Sequence, residues 1–132
     1  MKPEELAAAY LADFRTGAED SLAFGEVLDA CNDLVKGIEV TRALIELAGS
    51  DFELAYVAAG PVEDLLNWHG MRAFVLLAAD ARKSTKARDA LAGVWIDDEC
   101  EAFSAWKALM EKYGLAHSSR ERTSSGKRGK SG

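Results

Sequence analysis

Apolar residues recur along this chain at spacings of three and four, the interval that lines one face of an α-helix, and no run of alternating β-branched residues competes with them. Pro3, Glu4 and Glu5 suit a first helical turn, and Leu6, Ala7, Tyr10, Leu11 and Phe14 form a stripe that ends at Thr16-Gly17. A second helix is predicted from Asp20 or Ser21, presenting Phe24, Val27, Leu28, Cys31, Leu34 and Val35 before Gly37 stops it. A third, over residues 39–48, buries Val40, Leu44, Ile45 and Ala48. Gly49 breaks it, and Ser50 with Glu53 gives the spacing of a capping box.

The fourth predicted helix, residues 52–59, carries one charge, Glu53, and reads as the central one. Gly60-Pro61 predicts a sharp turn, because the residue before proline avoids the α region, and a fifth helix follows over 61–68. Gly70 separates it from a sixth over 71–82, with Phe74, Leu77, Ala78 and Ala81 facing the core. Ser84 or Thr85 caps a seventh bearing Ala87, Ala90 and Leu91 and ending at Gly93. Val94-Trp95-Ile96 then reads as an apolar connector anchored by Trp95. Asp97 or Asp98 caps a last helix with Ala102, Phe103, Trp106, Leu109, Met110 and Tyr113 on one face, up to Gly114. The prediction is an all-α fold, a compact bundle of about eight short helices, with a short stack of helical hairpins as the alternative. The glycine joints are unevenly spaced and their flanks differ, which favours the compact bundle.

Charge divides the chain in two. Residues 1–115 hold 11 Lys and Arg against 21 Asp and Glu, a balance of -10, whereas residues 116–132 hold 5 against 1, a balance of +4. The first stretch is long enough for a single helical domain. The second is mostly Ser, Gly, Lys and Arg without a large apolar residue, so it is expected to be a disordered basic tail. An acidic body disfavours grip on a phosphate backbone, which depends on Lys and Arg. The N-terminal residues lack a basic then apolar leader, and no stretch matches a membrane span, so a cytoplasmic protein without membrane contact is expected. Cys31 and Cys100 stand outside any C-x-x-C pattern and are expected as buried thiols rather than a disulfide.

The string AYVAAGPVEDLL, continued by Asn67-Trp68-His69-Gly70 and by Lys86-Ala87-Arg88-Asp89-Ala90-Leu91-Ala92-Gly93-Val94-Trp95, resembles a small all-helical bacterial domain family of unknown function. The likeness covers residues 38–95. It implies a helical fold and a bacterial or phage setting, and it carries over no catalytic residue.

Candidate chemistry is sparse. Glu63 and Asp64 are neighbouring carboxylates that could bind a metal or share a proton, although acids in a first helical turn also answer unpaired N–H groups and the dipole. His69 stands where a helix is predicted to end, beside Trp68. Trp106 continues a core stripe, whereas Trp68, between polar Asn67 and His69, is expected to be partly exposed. Arg82, Lys83, Lys86 and Arg88 form a basic cluster across a helix joint. No zinc-ligand spacing, nucleophile elbow, dinucleotide fingerprint or phosphate loop occurs, so neither a metal nor another cofactor is expected. The leading expectation is a non-enzymatic protein–protein interaction module that docks a partner through Glu63, Asp64, Trp68 and His69, with catalytic residues absent and oligomeric state open. The alternatives are a carboxylate-metal hydrolase using Glu63, Asp64 and His69, nucleic-acid binding through the tail and the basic cluster, and an acidic nucleic-acid mimic.

Overall fold

The computed structural model describes residues 1–18 and 21–115; the segment expected to be a disordered tail, 116–132, lies outside the described residues. Pro3 opens α1 (Pro3–Thr16), the Lys2 N–H donates to Glu5 Oε1 at 3.0 Å, and Gly17 ends the helix in the left-handed region. Ser21 Oγ accepts from the Phe24 N–H at 3.1 Å and starts α2 (Leu22–Ala30). Asp33 Oδ1 accepts from the Lys36 N–H at 3.1 Å and starts α3 (Leu34–Leu47).

These bounds correct two expectations. The second helix ends at Ala30, and Gly37 lies inside α3 rather than stopping a helix. Asp33 supplies the stronger local signal, and Gly37 serves packing: a Cβ there would lie 2.9 Å from Cys31 Cα and 2.7 Å from Leu65 Cδ2. Val35, assigned by the sequence to the stripe of the second helix, belongs to α3 and is exposed, and Phe24 and Leu28 on α2 are also exposed.

Ser50 Oγ accepts from the Glu53 N–H at 3.1 Å and begins α4 (Asp51–Val57). The sharp turn expected at Gly60-Pro61 is absent. A π-helical turn (Ala58–Val62) carries the chain directly into α5 (Glu63–His69), with right-handed helical backbone at Val57 (φ -64°, ψ -41°) and at Val62 (φ -63°, ψ -46°). The Glu63 N–H donates to Ala58 O, five residues back. Proline has no N–H to give and its ring presses on the preceding turn, and a widened turn tolerates both. Gly60, without a Cβ, removes much of the clash that keeps a residue before proline out of the helix.

Gly70 (φ 59°, ψ -132°) reverses the chain into α6 (Met71–Lys83), in a backbone region open to glycine. Ser84 Oγ accepts from the Ala87 N–H at 3.1 Å and starts α7 (Thr85–Ala92). The connector after Gly93 corrects the assignment of Trp95 as an anchor. Val94 and Ile96 are the buried residues, and Trp95 between them is 45% exposed, as alternation in extended chain requires. The last helix, α8 (Phe103–Lys112), starts later than predicted because Asp97 closes a turn of its own, its Oδ1 accepting from the Glu99 N–H at 2.9 Å. Trp106 is buried and donates Nε1–H to Leu91 O at 2.8 Å, which ties α8 to α7.

The fold is all-α, with no strand among the described residues. Because α4, the π turn and α5 run on without a break, the eight α-helical segments make seven separate helices among the described residues. The centre is α3, not the fourth predicted helix: α3 packs against α1, α2, α4, the π turn, α5, α6 and α7. Hairpins stacked in a row would touch only their neighbours, so this pattern is that of a bundle around one helix. On α4, Leu54 and Val57 are buried, whereas Phe52 is 76% exposed.

Two glycine substitutions separate packing from propensity. Gly25, in α2, has nothing within 4 Å of the place a Cβ would take. Gly25→Ala is expected to raise stability by about 0.5–1 kcal/mol, from helix propensity alone. Gly37→Ala is expected to lower it by about 1–3 kcal/mol despite the same propensity gain, as overpacking does. Urea unfolding of both variants checks the opposite signs.

Candidate functional site

The residues singled out by sequence are not gathered into one site. Glu63 and Asp64 do not occupy a helix N-terminus, because the chain arrives there already helical. Glu63 Oε2 accepts from the Trp95 N–H at 2.7 Å and holds the extended connector. Asp64 faces the other way, lining a small cavity with Tyr10, Phe24, Leu28 and Pro61. His69 ends α5, and its Nε2 lies 2.8 Å from Cys31 O at the C-terminal end of α2. A carbonyl only accepts, so Nε2 carries the proton, and the imidazole caps α2. A hydrolytic site would need Glu63, Asp64 and His69 to converge, and they lie at three different places. No group of three or more His, Cys, Asp or Glu side chains among the described residues is placed to hold a metal ion.

Trp68 is 47% exposed beside an open acidic notch of about 510 Å³, which it lines with His69, Asp97, Glu99 and Glu101. Part of that notch maintains the fold, since Glu101 Oε1 accepts from the Met71 N–H at 2.7 Å at the start of α6. The basic cluster is likewise divided. Lys86 Nζ donates to Glu46 O at 2.8 Å, and Arg88 Nε donates to Ala81 O at 3.1 Å, with its guanidinium 4.2 Å from the Tyr113 ring centre. Arg82 and Lys83 are exposed at the end of α6.

A second site lies where α1, α2 and α4 meet. Tyr10 and Phe14, one turn apart on α1, face Phe52 and Tyr56, one turn apart on α4, and Phe24 on α2 closes the group. The rings are in continuous contact: Tyr10 with Phe24 at 6.1 Å and 8° between planes, Tyr10 with Tyr56 at 5.3 Å, Phe14 with Tyr56 at 4.0 Å and 20°, and Phe14 with Phe52 at 5.6 Å. Four of these rings, with Asp13, Gly17, Ala18 and Ser21, line a cavity of about 390 Å³. The cavity next to it, which Asp64 enters, shares Tyr10 and Phe24. Tyr10 is the buried floor, whereas Phe24 is 40% exposed. Burial raises the pKa of the Asp64 carboxyl, and burial followed by the Asp64 charge pushes the Cys31 thiol up to about 12. Burial also raises the Tyr10 phenol, so it stays neutral.

Each of these rings reads in sequence as one more core position, and none was singled out. The available signal is a pair of aromatic i, i+4 couples, Tyr10 with Phe14 and Phe52 with Tyr56, 42 positions apart in the chain. Asp64 reads in sequence as a helix-start acid, a metal ligand or part of a docking face with Glu63, Trp68 and His69, not as a neighbour of these rings.

The two helices that carry the couples are locked together by one ion pair. Arg15 Nε donates to Glu53 Oε2 at 2.6 Å, its Nη2 donates to Oε1 at 2.8 Å, and the Gly49 N–H donates to the same Oε1 at 2.7 Å. The Arg15 hydrogen bonds first, then that from Gly49, lower the Glu53 carboxyl from 4.5 to about 2. A carboxyl whose folded pKa is lowered gives stability that is complete above the unfolded value and disappears as pH falls through the folded one. Glu53→Gln is therefore expected to lower Tm at neutral pH, and the gap from wild type should close between pH 4.5 and about 2. Thermal unfolding followed by circular dichroism across that range checks it.

The chain belongs to a family of unknown function, DUF6869, whose sequence model matches residues 21–111. Phe24, Phe52, Tyr56 and Asp64 lie within that match, while Tyr10, Asp13 and Phe14 precede it. No curated protein and no solved structure matches the chain.

Proposed function

We propose that this domain, whose family carries no assigned activity, is a non-enzymatic module that docks a partner protein, and that its docking face is the aromatic group on α1, α2 and α4. The observation that carries this reading is a continuous cluster of five rings, two of them exposed to water, Phe52 at 76% and Phe24 at 40%, with a cavity of about 390 Å³ lined by four of the rings, Phe24 among them. Phe52 and Phe24 would be covered at no cost to the core, and aromatic residues are enriched where proteins bind one another. A second face, Trp68 with the acidic notch, has one exposed ring of its own and a floor partly committed to the start of α6. The two free thiols, Cys31 and Cys100, support a reducing compartment, and the setting in this reading is the bacterial cytoplasm.

Affinity capture from lysate of the source organism, using the full chain, Phe24→Ala with Phe52→Ala, and Trp68→Ala, tests the assignment. The expected result is one stoichiometric protein retained by wild type and by Trp68→Ala and lost with the two phenylalanine substitutions. Loss with Trp68→Ala alone would move docking to the notch. Retention of no protein would reject the binding-module reading.

A further inference from the structure

Several carboxylates of this molecule are committed to holding its fold. Glu53 is paired with Arg15, Asp80 with Arg42 at 2.7 Å, Glu63 holds the Trp95 N–H and Glu101 holds the Met71 N–H. Asp13 and Asp64 differ from these: among the described residues neither carboxylate has a cationic or hydrogen-bonded side-chain partner. Both open onto the aromatic cavities, Asp13 at the rim of the larger and Asp64 in the one beside it. Among the described residues, no Lys, Arg or His lines either cavity. The rings around them present electron-rich faces, and a ring face and a carboxylate favour the same guest, a cation.

Resting on the docking reading above, we infer that the cavity bounded by Tyr10, Phe14, Phe24 and Tyr56 receives the guanidinium of an arginine from the partner protein, with Asp13 at its rim as the counter-charge and Asp64 adding negative charge from the adjoining cavity. Planarity and weak hydration favour guanidinium over ammonium here. Tyr10 stacks on Phe24 and Phe14 on Tyr56, so a guest meets the edges and outer faces of two stacked pairs, with Phe24 the more open ring and Tyr10 the buried one. A planar, weakly hydrated guanidinium stacks on such faces and offers its N–H edge to a carboxylate, whereas a compact ammonium keeps its water more tightly. Asp64, half-buried in the adjoining cavity, acts on the cation at longer range across Tyr10 and Phe24, which the two cavities share.

Three blocked tripeptides, Gly-Arg-Gly, Gly-Lys-Gly and Gly-citrulline-Gly, are titrated into the isotope-labelled full chain, and the ring and backbone NMR signals are followed. Citrulline keeps the shape of arginine without its charge. The expected result is saturable shifts of the Tyr10, Phe14, Phe24 and Tyr56 rings with arginine, and binding about tenfold weaker or worse with citrulline. Asp13→Asn and Asp64→Asn, checked for retained fold by circular dichroism, should each weaken the arginine peptide several-fold, and added salt should weaken it further. Equal binding of citrulline would make the cavity an apolar slot and overturn the inference. So would equal binding of lysine, shifts confined to Asp97, Glu99 and Glu101, or no saturable shift. The lysate capture reads the docking face separately: a partner lost with Phe24→Ala and Phe52→Ala, together with no preference for arginine here, removes this inference and leaves that reading standing.

Discussion

The seat of Tyr10 against the π turn is the contact on which this arrangement depends. A Cβ added to Gly60 would lie 3.0 Å from the Tyr10 hydroxyl, so α1 approaches the middle of the α4–α5 helix as closely as it does because residue 60 has no side chain. The same ring touches Phe24 and Tyr56. It therefore sets the spacing of three elements: α1 that carries it, α2 beside it and the continuous helix beneath it. Arg15 and Glu53 fix the other end of that approach, each next in sequence to a ring of the group, Phe14 and Phe52.

The π turn has a geometric consequence for the cavity. Successive residues of an α-helix point about 100° apart, and one residue added in a widened turn resets that phase by about the same amount. Tyr56 and Asp64 stand eight positions apart in sequence. In an uninterrupted α-helix they would be offset by about 80°, whereas with one residue absorbed by the turn they behave as if seven apart, close to two full turns. Both then face α1, and both line cavities that share Tyr10 and Phe24. Pro61 thus does not end a helix here. It marks the place where the helix changes phase, and that change puts a carboxylate beside an aromatic wall.

What was legible in the sequence is what local chemistry decides. Ser21, Ser50 and Ser84 cap helices as expected, Gly17, Gly70 and Gly93 end them, and the all-α class follows from the spacing of apolar residues. What was not legible depends on partners distant in the chain. Gly37 reads as a stop until Cys31 and Leu65 are seen pressed against it. Gly60-Pro61 reads as a break because nothing local announces a π turn. Trp95 reads as an anchor because periodicity tells that a residue is apolar, and only the chain path tells that Val94 and Ile96 take the inside. The candidate site escaped for a related reason. A stripe predicts that Tyr10, Phe14 and Phe24 face the same way as core residues, but not whether another element covers them, and between α1, α2 and α4 the cover is incomplete.

The most direct measurement is the backbone and side-chain NMR of residues 56–64. Unbroken helical Cα shifts through Gly60 and Pro61, with close contacts between the Tyr10 ring and the Gly60 α-protons, are what this account predicts. Extended shifts at Gly60, two helices joined by a turn, and no contact to Tyr10 would contradict it, and with it the placement of Asp64 beside the aromatic wall.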